Sequence, residues 1–150
     1  MSNVSTSTNP ATGKKIAEYD RISPKDAMEK IERSHMAWLK WKETSFEHRS
    51  ELMHKAADIL DKNREAYAKL AVQEMGKMIG AARSEIEKCA LICRHFADHA
   101  KAYLDDEIIE TEATKSYVTY QPQGVILAIM PWNFPFYQVI RFIVPALMAG

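Results

Sequence analysis

Near the C-terminal end one carboxamide stands between two prolines, in Pro131-Trp132-Asn133-Phe134-Pro135. An apolar run that empties into this motif is built to aim that amide. Two kinds of work suit it. Asn133 can cap a helix that Pro135 opens, with Phe134 and Phe136 entering the core. Alternatively its NH₂ group faces a cleft and donates to a carbonyl oxygen that becomes negative in a transition state. Eight positions on, Arg141 is the one charge in residues 124–150. An unpaired buried guanidinium is costly, so this residue calls for an anion, supplied by an acidic side chain or by a ligand. Eight residues of helix rise about 12 Å, enough for Arg141 to hold a carboxylate some way from a carbonyl at Asn133, which suits a short ω-semialdehyde.

The other reactive side chains carry less. Cys89 and Cys93, the two cysteines of the chain, lie four apart on one face of a predicted helix, as two buried thiols in a reducing compartment would. No nearby His or helix N-terminus lowers their pKa, and His95 and His99 fall on another face, so no zinc or other metal site is expected. Glu74, Gly76 and Lys77 read as ordinary C-terminal capping. His35, His48 and His54 share no partner motif.

These residues must be positioned by the elements around them. Residues 124–130, seven uncharged and mostly aliphatic positions, predict a strand buried on both faces of a parallel sheet, which Pro131 ends. Ligands of open α/β sheets gather at the carboxyl ends of strands, which is where Trp132 and Asn133 would then sit. Upstream, residues 24–104 read as nearly all helix. Ser23 and Pro24 start the first, with Ala27, Ile31, His35 and Trp38 on one face. Thr44-Ser-Phe-Glu47 reads as a capping box for the second, with a stripe of Leu52, Ala56, Ile59 and Leu60. Asn63 caps a third carrying Ala66, Leu70 and Ala71, which Gly76 ends. A fourth, from about Gly80, bears Ile86, Cys89, Ala90, Cys93, Phe96, Ala97 and Ala100. Two alternating runs around residues 113–115 predict a β-hairpin. Before the helices, Asn9-Pro-Ala-Thr-Gly13 is a turn and residues 14–19 a short extended piece.

Twenty basic and twenty acidic side chains cancel, leaving no basic footprint for nucleic acid or anionic lipid and favouring a small-molecule partner. The Ser/Thr-rich opening is neither a secretory signal nor a transit peptide, and the apolar tail is interrupted too often to span a bilayer, so a cytoplasmic protein without membrane contact is expected. A chain that stops straight after an apolar helix, with residues 124–150 uncovered, reads as the front part of a longer α/β protein.

The order of these motifs resembles the aldehyde dehydrogenase superfamily across essentially the whole chain. The likeness rests on Asn9-Pro-Ala-Thr-Gly13, on Trp38 and Trp41 before Arg49-x-x-Leu52, on Glu74-x-Gly76-Lys77, and above all on Gly124-Val-Ile-x-x-Ile-x-Pro-Trp-Asn-Phe-Pro135. It implies an α/β fold of that type: an N-terminal helical layer over 1–105, an oligomerisation hairpin over 106–123, and over 124–150 the first strand and helix of a Rossmann-like cofactor domain, with the catalytic domain absent. It also implies that Asn133 is the oxyanion-hole amide, that the backbone of Ile129, Met130, Pro131 and Trp132 meets the nicotinamide of NAD or NADP, and that Phe134 and Arg141 face the substrate. An Arg at this place is similar to the pattern of the succinate-semialdehyde dehydrogenases, where it binds the distal carboxylate. In the family's reaction a Cys thiolate attacks the aldehyde, the oxyanion is held by the Asn amide, hydride passes to the cofactor, and a carboxylate base activates water against the thioester. The stretches that supply that Cys, the base and the cofactor loop are not in this sequence, so the chain is expected to be inactive alone and part of a homodimer or homotetramer when whole. Acylating or phosphorylating relatives, and an inert interaction module, are the alternatives.

Overall fold

The computed structural model describes residues 4–150; residues 1–3 of the Ser/Thr-rich opening lie outside the described residues. The chain starts with an antiparallel hairpin of β1 (Val4–Thr8) and β2 (Lys15–Asp20), Val4 opposite Asp20 and Ser7 opposite Ala17. The Asn-Pro-Ala-Thr-Gly motif is its loop. Asn9 Oδ1 accepts the N–H groups of Ala11 (2.9 Å) and Thr12 (3.2 Å), and Gly13 takes a left-handed φ of 69°; an Asx turn and a glycine free of Cβ clash reverse the chain. The extended piece at residues 14–19 is therefore as expected, but its partner β1 is not part of the sequence reading. Its signal was the β-branched content of Val4, Thr6 and Thr8, which suits a pleated strand.

Four helices follow, α1 (Pro24–Trp41), α2 (Phe46–Lys62), α3 (Arg64–Met75) and α4 (Ile79–Tyr103), then β3 (Glu107–Ile108), β4 (Tyr117–Val118) and α5 (Tyr137–Ala149). At α1, Ser23 Oγ accepts the Asp26 N–H at 3.1 Å and Asp26 accepts the Ser23 N–H at 3.3 Å, a reciprocal cap with Pro24 in the first turn. The second capping box is corrected. Ser45, not Thr44, caps α2 through the His48 N–H at 3.2 Å, while Thr44 donates to Trp41 O at 2.6 Å and closes α1. Asn63 likewise gives α3 no side-chain cap; its Nδ2 donates to Ile59 O at 2.9 Å, at the end of α2. Gly76 does end α3, with φ 69° and its N–H on Val72 O. A Cβ there would meet Pro10 Cγ at 3.3 Å, because the loop of the first hairpin docks on this corner, where Ser7 also donates to Glu74 at 2.9 Å.

The core sits along α4. Its stripe of Ile86, Cys89, Ala90, Cys93, Ala97 and Ala100 is buried and Phe96 half-buried, as the spacing requires. Against it α2 brings Met53, Ala57 and Leu60, and α5 brings Val144 and Met148. Full burial of side chains such as Ile86, Val144 and Met148 contributes about 1.5–3 kcal/mol each. Two stripes keep only part of their expected phase. In α2 Leu60 is buried as expected, together with Arg49, Met53 and Ala57, while Leu52 and Ala56 are half-buried and Ile59 exposed; in α3 Ala71 is buried as expected, beside Ala68, with Ala66 and Leu70 facing out. Alanines on several faces of both helices leave the phase to be decided by packing. No residue of α1 is buried; Ile31, His35 and Trp38 instead border an open groove whose other wall is residues 123–125.

Residues 106–123 form the expected hairpin with a short ladder, Glu107 opposite Val118 and Ile108 opposite Tyr117. The larger correction concerns residues 124–130. Expected as a strand buried on both faces, they join no ladder among the described residues, and Leu127 and Ile129 are 85% and 86% exposed. A strand needs neighbours to pair its N–H and C=O groups and to cover its side chains, and both described sheets are separate two-stranded antiparallel pairs.

Candidate functional site

The Pro-Trp-Asn-Phe-Pro motif folds as a turn, and α5 begins at Tyr137, two residues after Pro135. Asn133 is exposed, and its side chain makes no hydrogen bond among the described residues. It does not cap α5. The helix has Phe136 as N-cap and no side-chain cap from its own segment. Glu85 of α4 does that work: its Oε1 accepts the N–H groups of Phe136 and Tyr137, each at 3.0 Å. A carboxylate at the positive end of a helix satisfies donors that have no intrahelical partner. Glu85 is only 5% exposed, and its Oε2 is paired with Lys77 Nζ. Lys77 also lies 3.9 Å from the centroid of the Phe134 ring, a cation held over an aromatic face.

Phe134 is 42% exposed rather than core, while Phe136 packs on Tyr67 with ring centroids 5.3 Å apart. Trp132, Pro135 and Phe136 line an open, mostly apolar cleft of about 510 Å³, with Pro10, Leu70, Glu74 and Met75 on its other walls. Asn133 sits between the two cleft residues Trp132 and Pro135. Ile129, Pro131 and Trp132 are exposed and Met130 half-buried, and residues 129–132 make no backbone hydrogen bond among the described residues.

Arg141 departs from expectation in two ways. It is exposed, not buried, and forms no ion pair among the described residues, so no desolvated charge calls for a compensating anion. Residues 133–136 are not helical, so four helical steps, a rise of about 6 Å, separate Tyr137 from Arg141 rather than eight from Asn133. The guanidinium reaches back along the helix over the Tyr137 ring, 5.7 Å from its centroid, the direction helical side chains take.

The far end of α5 is held by opposite chemistry. Trp41 Nε1 donates to Leu147 O (2.9 Å), Trp38 Nε1 to Gly150 O (2.8 Å), and Arg49 NH1 to Met148 O (3.0 Å). Arg49 also donates to Thr44 Oγ1, Trp41 O and Lys42 O, tying the end of α1 to that of α5. It is 4% exposed, and burial lowers its pKa. The Trp pair and the Arg of the motif Arg49-x-x-Leu52 are thus carbonyl caps.

Cys89 and Cys93 are free and buried, and no group of three metal-ligating side chains occurs among the described residues. Burial, then the nearby Glu85, pushes the Cys89 thiol up to about 12, and burial also raises Cys93. Neither is a nucleophile near neutral pH. Sequence reasoning missed Lys77, read as a helix-end charge, and Glu85. The available signal was an acidic residue inside the apolar stripe of α4, between Ala82 and Ile86.

The chain belongs to the aldehyde dehydrogenase family, whose sequence model matches residues 2–150. It is 46% identical over 142 residues to a probable NADP(+)-type succinate-semialdehyde dehydrogenase of Synechocystis, an alignment covering 95% of this chain and 31% of that protein. Its fold is similar to about a third of the succinic semialdehyde dehydrogenase of Streptococcus pyogenes, solved in complex with NADP+, at TM-score 0.92 and 33% identity over 97% of this chain and 32% of that one. A betaine aldehyde dehydrogenase of Staphylococcus aureus, in complex with NAD+, superposes at TM-score 0.90 with 26% identity over 99% of this chain and 30% of that one. The chain spans about a third of the length of the relatives it matches. The expected family and fold class are therefore correct.

Proposed function

We propose that this chain acts within a polypeptide of the family's full length as the part of an NAD(P)-dependent aldehyde dehydrogenase that stabilises the reacting oxyanion and orients a short semialdehyde, succinate semialdehyde in the first instance. The observation that carries this reading is the state of Asn133. Its carboxamide is exposed and unbonded, in the turn whose residues Trp132, Pro135 and Phe136 line an apolar cleft, although Asn133 itself is not part of the lining, and the helix-capping work that would otherwise explain it belongs to Glu85. An NH₂ donor preset on a fixed turn stabilises an alkoxide without reorganising as the charge forms. Arg141, unpaired and reaching back toward the turn, binds the substrate's distal carboxylate, and Phe134 forms part of the wall.

Residues 129–132 fit a nicotinamide nucleotide in one respect visible here: their backbone groups stand outside any ladder next to exposed apolar side chains. The nicotinamide, when bound, accepts the hydride. The nucleophilic thiolate and the carboxylate base come from outside residues 1–150, since the two thiols here are buried in their protonated form. Free thiols also support a reducing, cytoplasmic compartment. In the full-length enzyme, Asn133→Ala should lower kcat by about 10²- to 10³-fold with little change in aldehyde affinity. Steady-state turnover measures this, and unchanged kcat would remove Asn133 from the role.

A further inference from the structure

The amide of Asn133 has no partner of its own among the described residues, so the backbone of the turn at residues 132–136, which places its Cα–Cβ bond, is what positions it. That turn is held from the downstream side. Glu85 Oε1 takes the Phe136 and Tyr137 N–H groups, Glu85 Oε2 takes Lys77, and Lys77 lies against the Phe134 ring. Three of the four residues after Asn133 are thereby gripped by one ion pair whose side chains are 2% and 11% exposed. The pair is built from two elements: Lys77 follows the left-handed Gly76 at the end of α3, and Glu85 stands on α4. A buried ion pair is a poor source of stability, because the desolvation of both charges offsets much of their attraction. Its geometry does give specificity of position. The carboxylate has its two oxygens committed in two directions, so it cannot swing without giving up either the helix end or the lysine.

We propose that Glu85 and Lys77 are positioning residues for the oxyanion amide, setting where Asn133 points by clamping the turn that carries it. This rests on the reading of Asn133 as the oxyanion donor. A misplacement of the order of 1 Å in such a donor costs about 10²-fold in rate.

The test is a double-mutant cycle in the full-length enzyme. Glu85→Ala should lower kcat at saturating aldehyde by about 10- to 100-fold while leaving KM for the aldehyde within about 3-fold. Made in an Asn133→Ala background, the same substitution should lower kcat no further, because orienting an absent amide has no value. Lys77→Met, which keeps the helix cap and loses the tether, should show the same split to a smaller degree, and it carries the test where Glu85→Ala does not fold. Equal losses with and without Asn133 would overturn the proposal and leave the pair a structural support; so would an unchanged kcat in both single variants. If Asn133→Ala alone leaves kcat unchanged, the oxyanion assignment itself is what has failed.

Discussion

At the scale of single residues, the turn shows how one job displaces another. Asn133 has the composition of a helix cap, and its position ahead of Pro135 invites that reading. Glu85 occupies the donors first, from another helix. The spacing of the motif was therefore legible in the sequence, and the choice between its two uses was not. Arg141 shows the opposite case: its isolation among apolar residues was legible, but its burial was inferred from neighbours that do not cover it. An exposed, unpaired guanidinium four residues into a helix is available to a substrate carboxylate, and a charge-assisted contact of that kind contributes about 1.5–3 kcal/mol. If Arg141 holds the distal carboxylate as proposed, Arg141→Ala in the full-length enzyme should raise KM for succinate semialdehyde by about 10- to 100-fold and leave KM for an uncharged aldehyde of similar length unaffected. Parallel kinetics on the two substrates would measure the ratio, and equal effects on both would exclude a carboxylate contact.

At the scale of elements, α5 is a helix fixed at both ends by charges complementary to its dipole. A carboxylate holds the N–H end and a guanidinium with two indoles holds the C=O end. Neither end of α5 contributes a side-chain cap of its own, so without α1, α2 and α4 its terminal groups would depend on solvent. That is why residues far apart in sequence, Trp38, Trp41, Arg49 and Glu85, serve a helix that ends at Ala149. Replacing Arg49 by Met keeps volume but leaves buried carbonyls of two helices without donors, and should destabilise the folded protein by about 2–4 kcal/mol. Urea unfolding followed by circular dichroism of the helices would measure it; an unmoved midpoint would show that solvent satisfies those carbonyls equally well.

At the scale of the molecule, two surfaces are unfinished. The hairpin of β3 and β4 is a two-residue ladder with both edges open among the described residues, and isolated hairpins are marginal in water. Residues 124–130 expose Val125, Ile126, Leu127 and Ile129, a contiguous apolar patch of the kind that marks an interface. Each leaves backbone edges or apolar side chains open among the described residues, and pairing of the hairpin with a second subunit is the proposal that can be tested directly. If the hairpin pairs across subunits, Val118→Pro on β4 of the full-length enzyme should shift the species seen on size exclusion from a dimer or tetramer toward monomer. An unaltered elution volume would remove the hairpin from the oligomer interface.

What the amino-acid order determined alone was whatever depends on near neighbours. The Ser23 cap, the left-handed Gly76, the Asx loop at Asn9 and the long stripe of α4 follow from side chains within a turn or two of each other, and each is found where its chemistry requires. Where several phases or partners were locally acceptable, only the tertiary structure decided. It chose which alanines of α2 and α3 face inward, gave β1 its pairing, left residues 124–130 without a sheet, and assigned the end of α5 to Glu85 rather than Asn133. The reason is physical: a cap or a stripe is settled by contacts a few residues apart, whereas a helix end or a strand edge is satisfied by whichever group packing brings to it.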